Sequence, residues 1–375
     1  MRVVLLLAAV LCATVPSRAA EPDVVEAAMA TIQARLPGDL DPAGLDRAAV
    51  EGMTRWLDQV AGAPGNAVLS EAAFRAHEDR LRGRRFGLGI EFSVAGGRGL
   101  LVTAVRPGTP AARAGVQAGD LVVAMDDRAF TGLSGAAIAA LAAEQGGQGD
   151  GPTALDLRRE DDALRRLLIS PASFEAPAAR VTRNDDHLLV QVELLGQGIA
   201  GLLRQALRSE APEAVVIDLR DVHEGDLEAT QELAGVFVPP GQPLFLRTDP
   251  GGRPVTLQAA EGSRWKGRLV VLVNRGSAGP AEALAGALRS QAGAVVVGTR
   301  TAGAATVPSF HPLGDGLILQ LADIALCAPD GSSWAGEGLL PDLVVEPLLV
   351  PVVGPVRAPP PDIQLDAALR FVGAR

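Results

Sequence analysis

Apolar positions at the start of the chain recur at helical spacing. Val24, Val25, Ala28 and Ile32 share a face, and Pro37-Gly38 breaks the run. A second helix is predicted from Pro42 to Val60, with Leu45, Ala49, Met53 and Trp56-Leu57 along one side, and a third near Glu71 to Arg82. Such stripes are packing faces, so residues 20–82 read as a helical segment. From residue 83 the pattern changes to short strands between glycine turns. Phe86-Gly87-Leu88-Gly89-Ile90-Glu91-Phe92, Leu100 to Val105 and Leu121 to Met125 are strand-like, a helix is predicted from Ser134 to Glu144, and Ala154 to Arg158 is read as the final strand of this block. Gly146 to Gly151 read as a loop, and Glu160-Asp161-Asp162 as a solvated turn. Residues 171–350 alternate strands and helices. Leu188 to Val192, Val215 to Leu219, Leu269 to Val273 and Ala294 to Gly298 are apolar strands, the last three nearly continuous, as buried parallel strands are. Gly201 to Ser209, Leu227 to Phe237 and Pro280 to Ser290 are the helices between them, which implies an α/β core with right-handed crossovers. The tail, 351–375, is proline-rich and then amphipathic from Ile363 to Val372.

One apolar run is of another kind. Val3 to Val15 spans 13 residues behind Met1-Arg2, too few to cross a bilayer, and small residues follow at Ser17-Arg18-Ala19-Ala20. Residues 1–19 therefore read as a secretory signal peptide cleaved after Ala19, with an uncleaved anchor as the alternative. Cleavage leaves Cys327 as the single cysteine, which excludes an intramolecular disulfide, and its apolar run (Ile324-Ala325-Leu326-Cys327) reads as core. The expected protein is secreted, periplasmic, and soluble once the signal is removed.

Composition narrows the chemistry. The 375 residues carry a net charge of −10, and aromatic residues make up only 3% with no tyrosine, which argues against nucleic acid as a partner. His77, His187, His223 and His311 lack metal-ligand spacing, so no metal is expected, and with no phosphate-binding or dinucleotide-binding glycine fingerprint no cofactor is expected either. Lys266 is the only lysine. It precedes the strand Leu269 to Val273, while the following helix starts beyond the strand's other end, roughly 16 Å away. Lys266 is thus expected to be solvated at a strand start.

The middle block, 83–170, resembles a bacterial PDZ domain. The resemblance rests on Gly87-Leu88-Gly89-Ile90, on Gly108-Thr109-Pro110-Ala111 with Ala114-Gly115-Val116, and on Gly119-Asp120. Glycine-flanked N–H groups make a concavity for a carboxylate, and the strand that follows offers an edge to an extended peptide. Polypeptide C-termini are therefore the expected partners of Gly87, Leu88, Gly89 and Ile90, the alternative being a module that only packs.

The core resembles the carboxy-terminal processing (tail-specific) serine peptidases, which carry an inserted PDZ domain. Glu51-Gly52-Met53 with Leu57-Asp58, Val216-Ile217-Asp218-Leu219-Arg220, Val271-Leu272-Val273-Asn274, Gly276-Ser277-Ala278 with Glu282, Val297-Gly298 to Gly303, and Gly336-Glu337-Gly338-Leu339-Leu340-Pro341-Asp342 match the family's segments in its order. The implied fold class is a peptidase-like α/β core with an N-terminal helical segment and an inserted PDZ domain. The departures fall on the chemistry. Where the family's motif places its nucleophilic serine stands Gly279, and where it places its general-base lysine, 25 residues later, stands Ala304. Pro308 replaces a glutamine, and the oxyanion loop reads Val222-His223-Glu224-Gly225 instead of Asn-Pro-Gly-Gly.

A serine hydroxyl needs a base to become a nucleophile, and a carboxylate at Glu224 opposes a developing oxyanion. Three readings follow. The first is an inactive homologue that binds C-terminal tails through the PDZ groove and the vestigial cleft, or regulates a partner peptidase. The second is an active serine peptidase with a rebuilt site, Ser277 with His223, its imidazole oriented by Glu224 or Asp221; against it stands a helix-capping Ser277 and a solvated loop His223. The third is a structural scaffold.

Overall fold

The helical periodicity at the N-terminus becomes α1 (Val24–Arg35) and α2 (Pro42–Ala61). The computed structural model describes residues 24–36, 41–61, 65–145, 151–159, 163–184, 186–260, 264–347 and 361–373; the signal-peptide reading, the Glu160-Asp161-Asp162 turn and most of the Gly146 to Gly151 loop lie outside them. The segment 20–82 is not wholly helical. A short strand, β1 (Ala67–Ser70), precedes α3 (Glu71–Leu81), and Ser70 ends the strand by accepting the Ala73 N–H on its hydroxyl, capping the helix.

The inserted block enters on β2 (Arg84–Gly87) and leaves on β9 (Ala172–Glu175), which pair with each other as a two-stranded tether. Between them lie β3 (Ile90–Val94), β4 (Leu100–Val105), α4 (Pro110–Arg113), β5 (Leu121–Met125), β6 (Arg128–Ala129), α5 (Gly135–Gln145), β7 (Thr153–Arg158) and β8 (Leu164–Ile169). The run Phe86 to Phe92, read above as one strand, is two strands, because Gly89 has φ +81 and turns the chain. Ala154 to Arg158 is not the last strand, since β8 follows it, exposed over most of its length with Ile169 buried. The sheet order is β3-β4-β5-β7-β8, which leaves β3 on an edge, and Leu100, Val122, Phe130, Ile138 and Leu155 are buried beneath it.

The core comprises β10 (Ala179–Asn184), β11 (His187–Val192), α6 (Ile199–Glu210), β12 (Ala214–Asp218), α7 (Leu227–Ala234), β13 (Pro243–Thr248), β14 (Val255–Gln258), β15 (Arg268–Val273), α8 (Pro280–Ala292), β16 (Val295–Gly298), β17 (Thr306–Gly314), β18 (Leu317–Cys327), β19 (Leu343–Val344) and α9 (Ile363–Gly373). Strands β11, β12, β15, β16 and β19 run parallel, with β10 antiparallel at one edge. Every residue of β12 is buried, which is why that strand reads as an apolar run interrupted only by Asp218. Leu203, Leu233, Leu284 and Leu288 cover one face of the sheet, and α9 covers the other with Ala368 and Val372.

A second sheet, β1-β18-β13-β14 with β17 also paired to β18, is antiparallel and was not anticipated. Its hairpin turns at Asp315-Gly316, both at positive φ, as two-residue hairpin loops require. Cys327 ends β18 only half-buried rather than in the core, and burial raises its thiol pKa.

Candidate active-site cleft

The two sheets and α3 enclose a cleft of about 1640 Å³, lined among others by His77 and Arg80 of α3, Glu224 and Gly225 of the loop after β12, Gly279, and Ala304. Bonds between strand ends fix the loop that edges it. Asn274, after β15, accepts the N–H groups of Asp221 and Gly276 on its side-chain oxygen, both at 2.9 Å, and donates to the Asp221 carboxylate at 3.0 Å. Ala278 donates its N–H to the Val222 carbonyl at 2.9 Å. These bonds hold the oxyanion-type loop against the start of α8.

Gly279 is the N-terminal cap of α8, at φ 54 and ψ −111. Its N–H donates to the Ala304 carbonyl (2.9 Å) and to Glu282 (3.0 Å). The positions read as nucleophile and base are therefore neighbours in space, although neither has a side chain that can act as one. A Cβ on Gly279 would stand 2.7 Å from the Thr306 carbonyl oxygen. Glu282 is fully buried and binds the segments together: it accepts from Thr301 Oγ1 at 2.5 Å and from the Gly303 N–H at 2.8 Å, besides Gly279. Burial pushes its carboxyl up, against the pull of those donors.

The structure does not join Ser277 to His223. Ser277 is 0% exposed; its hydroxyl donates to the Leu219 carbonyl (2.8 Å) and accepts the Asn274 N–H (3.0 Å), so it ties β12 to β15 and does not cap α8. His223 is exposed, with Nδ1 donating to the Asp221 backbone carbonyl at 3.0 Å and no bond to a carboxylate. Lys266 is exposed ahead of β15, as its position suggested.

Glu224 departs from expectation. It is not a bare charge. Arg80 grips both of its oxygens at 3.1 and 3.2 Å, a fork that spans 144 residues of sequence. His77 Nδ1 lies 4.0 Å away, and its ring packs 5.3 Å from Phe310. Burial lowers the His77 pKa, with Glu224 pulling the other way. No local periodicity could have paired Arg80 with Glu224, since only the tertiary fold lays α3 over the loop.

At the second site, Gly87 ends β2, Leu88 and Gly89 form the turn, and Ile90 opens β3. The Leu88 carbonyl accepts the Ala111 N–H at 3.0 Å and the Gly89 carbonyl accepts the Arg106 N–H at 2.9 Å, so the turn's acceptors point inward to α4 and the end of β4. A Cβ at Gly89 would lie 2.3 Å from Thr109, so glycine is required there. The open edge of β3 lies beside α5, where Gly135 approaches Val94.

Fold, domain order and cleft define an S41-type peptidase fold with an inserted PDZ domain. A model of peptidase family S41 matches residues 192–345 and a PDZ domain model matches residues 101–149. Within that class the chain is similar to the CtpA-like, carboxy-terminal processing kind. A CtpA-like serine protease of Staphylococcus aureus is 22% identical over 308 residues, covering 80% of this chain, and one of Staphylococcus haemolyticus is 22% identical over 304. The chain spans 60% of the length of the Staphylococcus aureus relative. Among solved structures, an S41 protease from Bacteroides fragilis superposes with TM-score 0.54 at 18% identity, covering 87% of this chain and 91% of the other. The photosystem II D1 C-terminal processing protease matches with TM-score 0.49 at 24% identity, covering 92% and 90% of the two chains.

Proposed function

We propose that this chain is an exported, periplasmic pseudopeptidase of the carboxy-terminal processing kind, which binds the C-terminal tails of polypeptides without cutting them and so presents or withholds them from a partner peptidase. The observation that carries the reading is Gly279 facing Ala304: the backbone scaffold of a nucleophile and its base persists, and both side chains are missing. Acyl transfer needs an atom to attack and a base to take its proton, and neither position offers one. Support for tail binding comes from the PDZ turn Gly87–Ile90 beside a free sheet edge, the arrangement that captures an extended peptide by its backbone and its terminal carboxylate. Leu88 and Ile90, both packed on the PDZ core, suit a small apolar terminal side chain.

The test uses an unstructured polypeptide ending in a small apolar residue. It should bind and remain intact, a fluorophosphonate should label nothing, and amidating the terminus should weaken binding by about ten-fold or more, the loss of a charge-assisted bond. Cleavage abolished by Ser277→Ala or His223→Ala would make the rebuilt-site reading correct. Equal affinity for acid and amide would remove the carboxylate from the account.

A further inference from the structure

Arginines that line the cleft are mostly spent on acids of the chain itself. Arg75 pairs with Glu71, Arg85 with Glu193 and Arg247 with Asp249. Arg80 differs. A guanidinium presents five N–H donors along two usable edges. Glu224 takes only the Nε–Nη2 edge, at 3.3 Å from Nε and 3.1 Å from Nη2. Nη1, with two donors, has no partner among the described residues. Two more deeply set arginines show what fills that edge elsewhere in the same molecule. Arg220 is shared by Asp218 and Asp362 at 2.6 and 2.7 Å, and Arg106 by Glu193 and Glu91 at 2.6 and 3.1 Å. Their side chains are 18% and 16% exposed, against 33% for Arg80, whose open edge belongs to a side chain in the cleft wall. Arg80 therefore has the fork of a two-carboxylate arginine with one carboxylate in place.

We infer that the open edge of Arg80 is a second receptor for the terminal carboxylate of a polypeptide, inside the cleft and separate from the PDZ turn. This rests on the tail-binding reading above. The cleft suits an apolar residue that carries the carboxylate: Gly279, Ala302 and Ala304 line it with nothing larger than a methyl group, and Phe310 and Ile324 line it as well. A terminal residue supplies the anionic head and an apolar side chain from one Cα. An internal acidic residue would instead have to bring polar backbone into the cleft on both sides of it, which costs more to desolvate. Glu224 repels the incoming anion, and the planar fork of the arginine offsets that repulsion by bonding both, as it does at Arg220 and Arg106. No bond is made or broken in this capture. Each chain then holds two tails, one at the PDZ turn and one at Arg80.

Two variants of one ion pair test the inference. Arg80→Gln and Glu224→Gln both break the Arg80–Glu224 bridge, so a merely structural role would move binding in the same direction in both. A receptor requires opposite directions. An unstructured peptide ending in a free valine carboxylate is titrated into the full chain. Amide hydrogen exchange of residues 71–81 and 221–226 reads occupation of the cleft, and that of residues 87–94 reads the PDZ turn. The acid peptide should protect both regions in wild type. Arg80→Gln should raise the peptide concentration needed at the cleft about ten-fold. Glu224→Gln, which removes the repelling charge, should lower it about three-fold or more. Neither variant should move the midpoint at residues 87–94 by more than about two-fold. The amidated peptide, and an amidated peptide with a glutamate next to its last residue, should leave the cleft unprotected. Shifts of the same sign in the two variants, or no shift in either, overturn the receptor. Protection of the cleft by the amidated glutamate peptide overturns it too, because Arg80 would then read a side chain. Protection of residues 87–94 alone overturns the receptor and leaves the tail-binding reading standing, whereas protection of neither region removes both.

Discussion

At Gly279 the backbone conformation outlasts the chemistry. Its φ of 54 with ψ −111 is a conformation that residues with a side chain adopt only under strain, and the Thr306 carbonyl fills the space that a Cβ would occupy. Restoring the pair by Gly279→Ser with Ala304→Lys therefore meets an obstacle that composition alone does not reveal. Gly279→Ser should destabilise the chain by about 1–3 kcal/mol, the usual cost of one such strained residue. Ala304→Ser should cost well under that, which urea unfolding followed by tryptophan fluorescence would resolve. The double variant should show no hydrolysis. Glu224 lines the same cleft as the new lysine and favours its protonated form, and Arg80 neutralises that carboxylate only in part at a half-exposed site. Rapid cleavage by the double variant would show that the loop and the strain matter little. Nor is the loop easily rebuilt. Val222 is fully buried, so an asparagine there would bring an amide into apolar surroundings.

At the level of elements, α9 is held by charge as well as by apolar contact. Arg220, at the root of the oxyanion-type loop, donates from Nη2 to Asp218 at 2.6 Å and to Asp362 at 2.7 Å, and its Nη1 reaches Asp362 at 2.8 Å and Gln364 at 3.2 Å. Burial works against the guanidinium's charge, but the two carboxylates override it and raise its pKa further. The bond from Arg220 holds the Asp362 carboxyl below its usual range. A carboxyl lowered in the folded state adds stability above its unfolded pKa of about 3.9, and that stability is lost as pH falls through the lower folded value. Hydrogen-exchange protection of residues 363–373, corrected for intrinsic rates, should hold at pH 6 and decline below about pH 4. Asp362→Asn should lower it at both pH values and flatten the dependence. A wild-type profile as flat as the variant's would remove Asp362 from the docking of α9. The helix itself was legible from the amphipathic run Ile363 to Val372. The partner just after β12 was not, because 142 residues separate Arg220 from Asp362. The hairpin β17–β18 was missed for another reason: Asp315-Gly316 is a turn signal, but the flanking residues lack the strict alternation of a half-buried strand, since β18 is partly buried along most of its length.

For the whole molecule, the first described helix begins at Val24, downstream of the expected cleavage after Ala19, so processing would leave α1 entire. Among the described residues no helix is long and apolar enough to cross a membrane. Amino-terminal sequencing of protein recovered from the periplasm should read Ala20 or Glu21 first, whereas recovery of a chain that keeps Met1 would favour an anchor. Among the described residues, the PDZ domain has an apolar core of its own, apart from those of the α/β domain, and a tether joins the two domains. The PDZ core around Phe130 and Ile138 and the core around Ile217 and Val271 are separate clusters, and β2 with β9 and the Glu193 bridges lie between them.

The parallel strands, the helices that alternate with them and the altered positions Gly279, Ala304 and Glu224 were all legible in the chain itself. Burial on both faces writes itself as continuous apolar runs, and a motif with fixed spacing shows its gaps as clearly as its matches. What only tertiary structure decided is where the polar groups find partners. Ser277 could have been a nucleophile, a cap or a tie, and the carbonyl of Leu219, 58 residues away, made it a tie. Glu224 became an ion pair because α3 lies over its loop, and Glu193 became one because Arg85 and Arg106 meet the end of β11. A hydrophobic pattern reports each residue's burial, which is a local average, whereas a hydrogen bond or an ion pair depends on the meeting of two particular atoms.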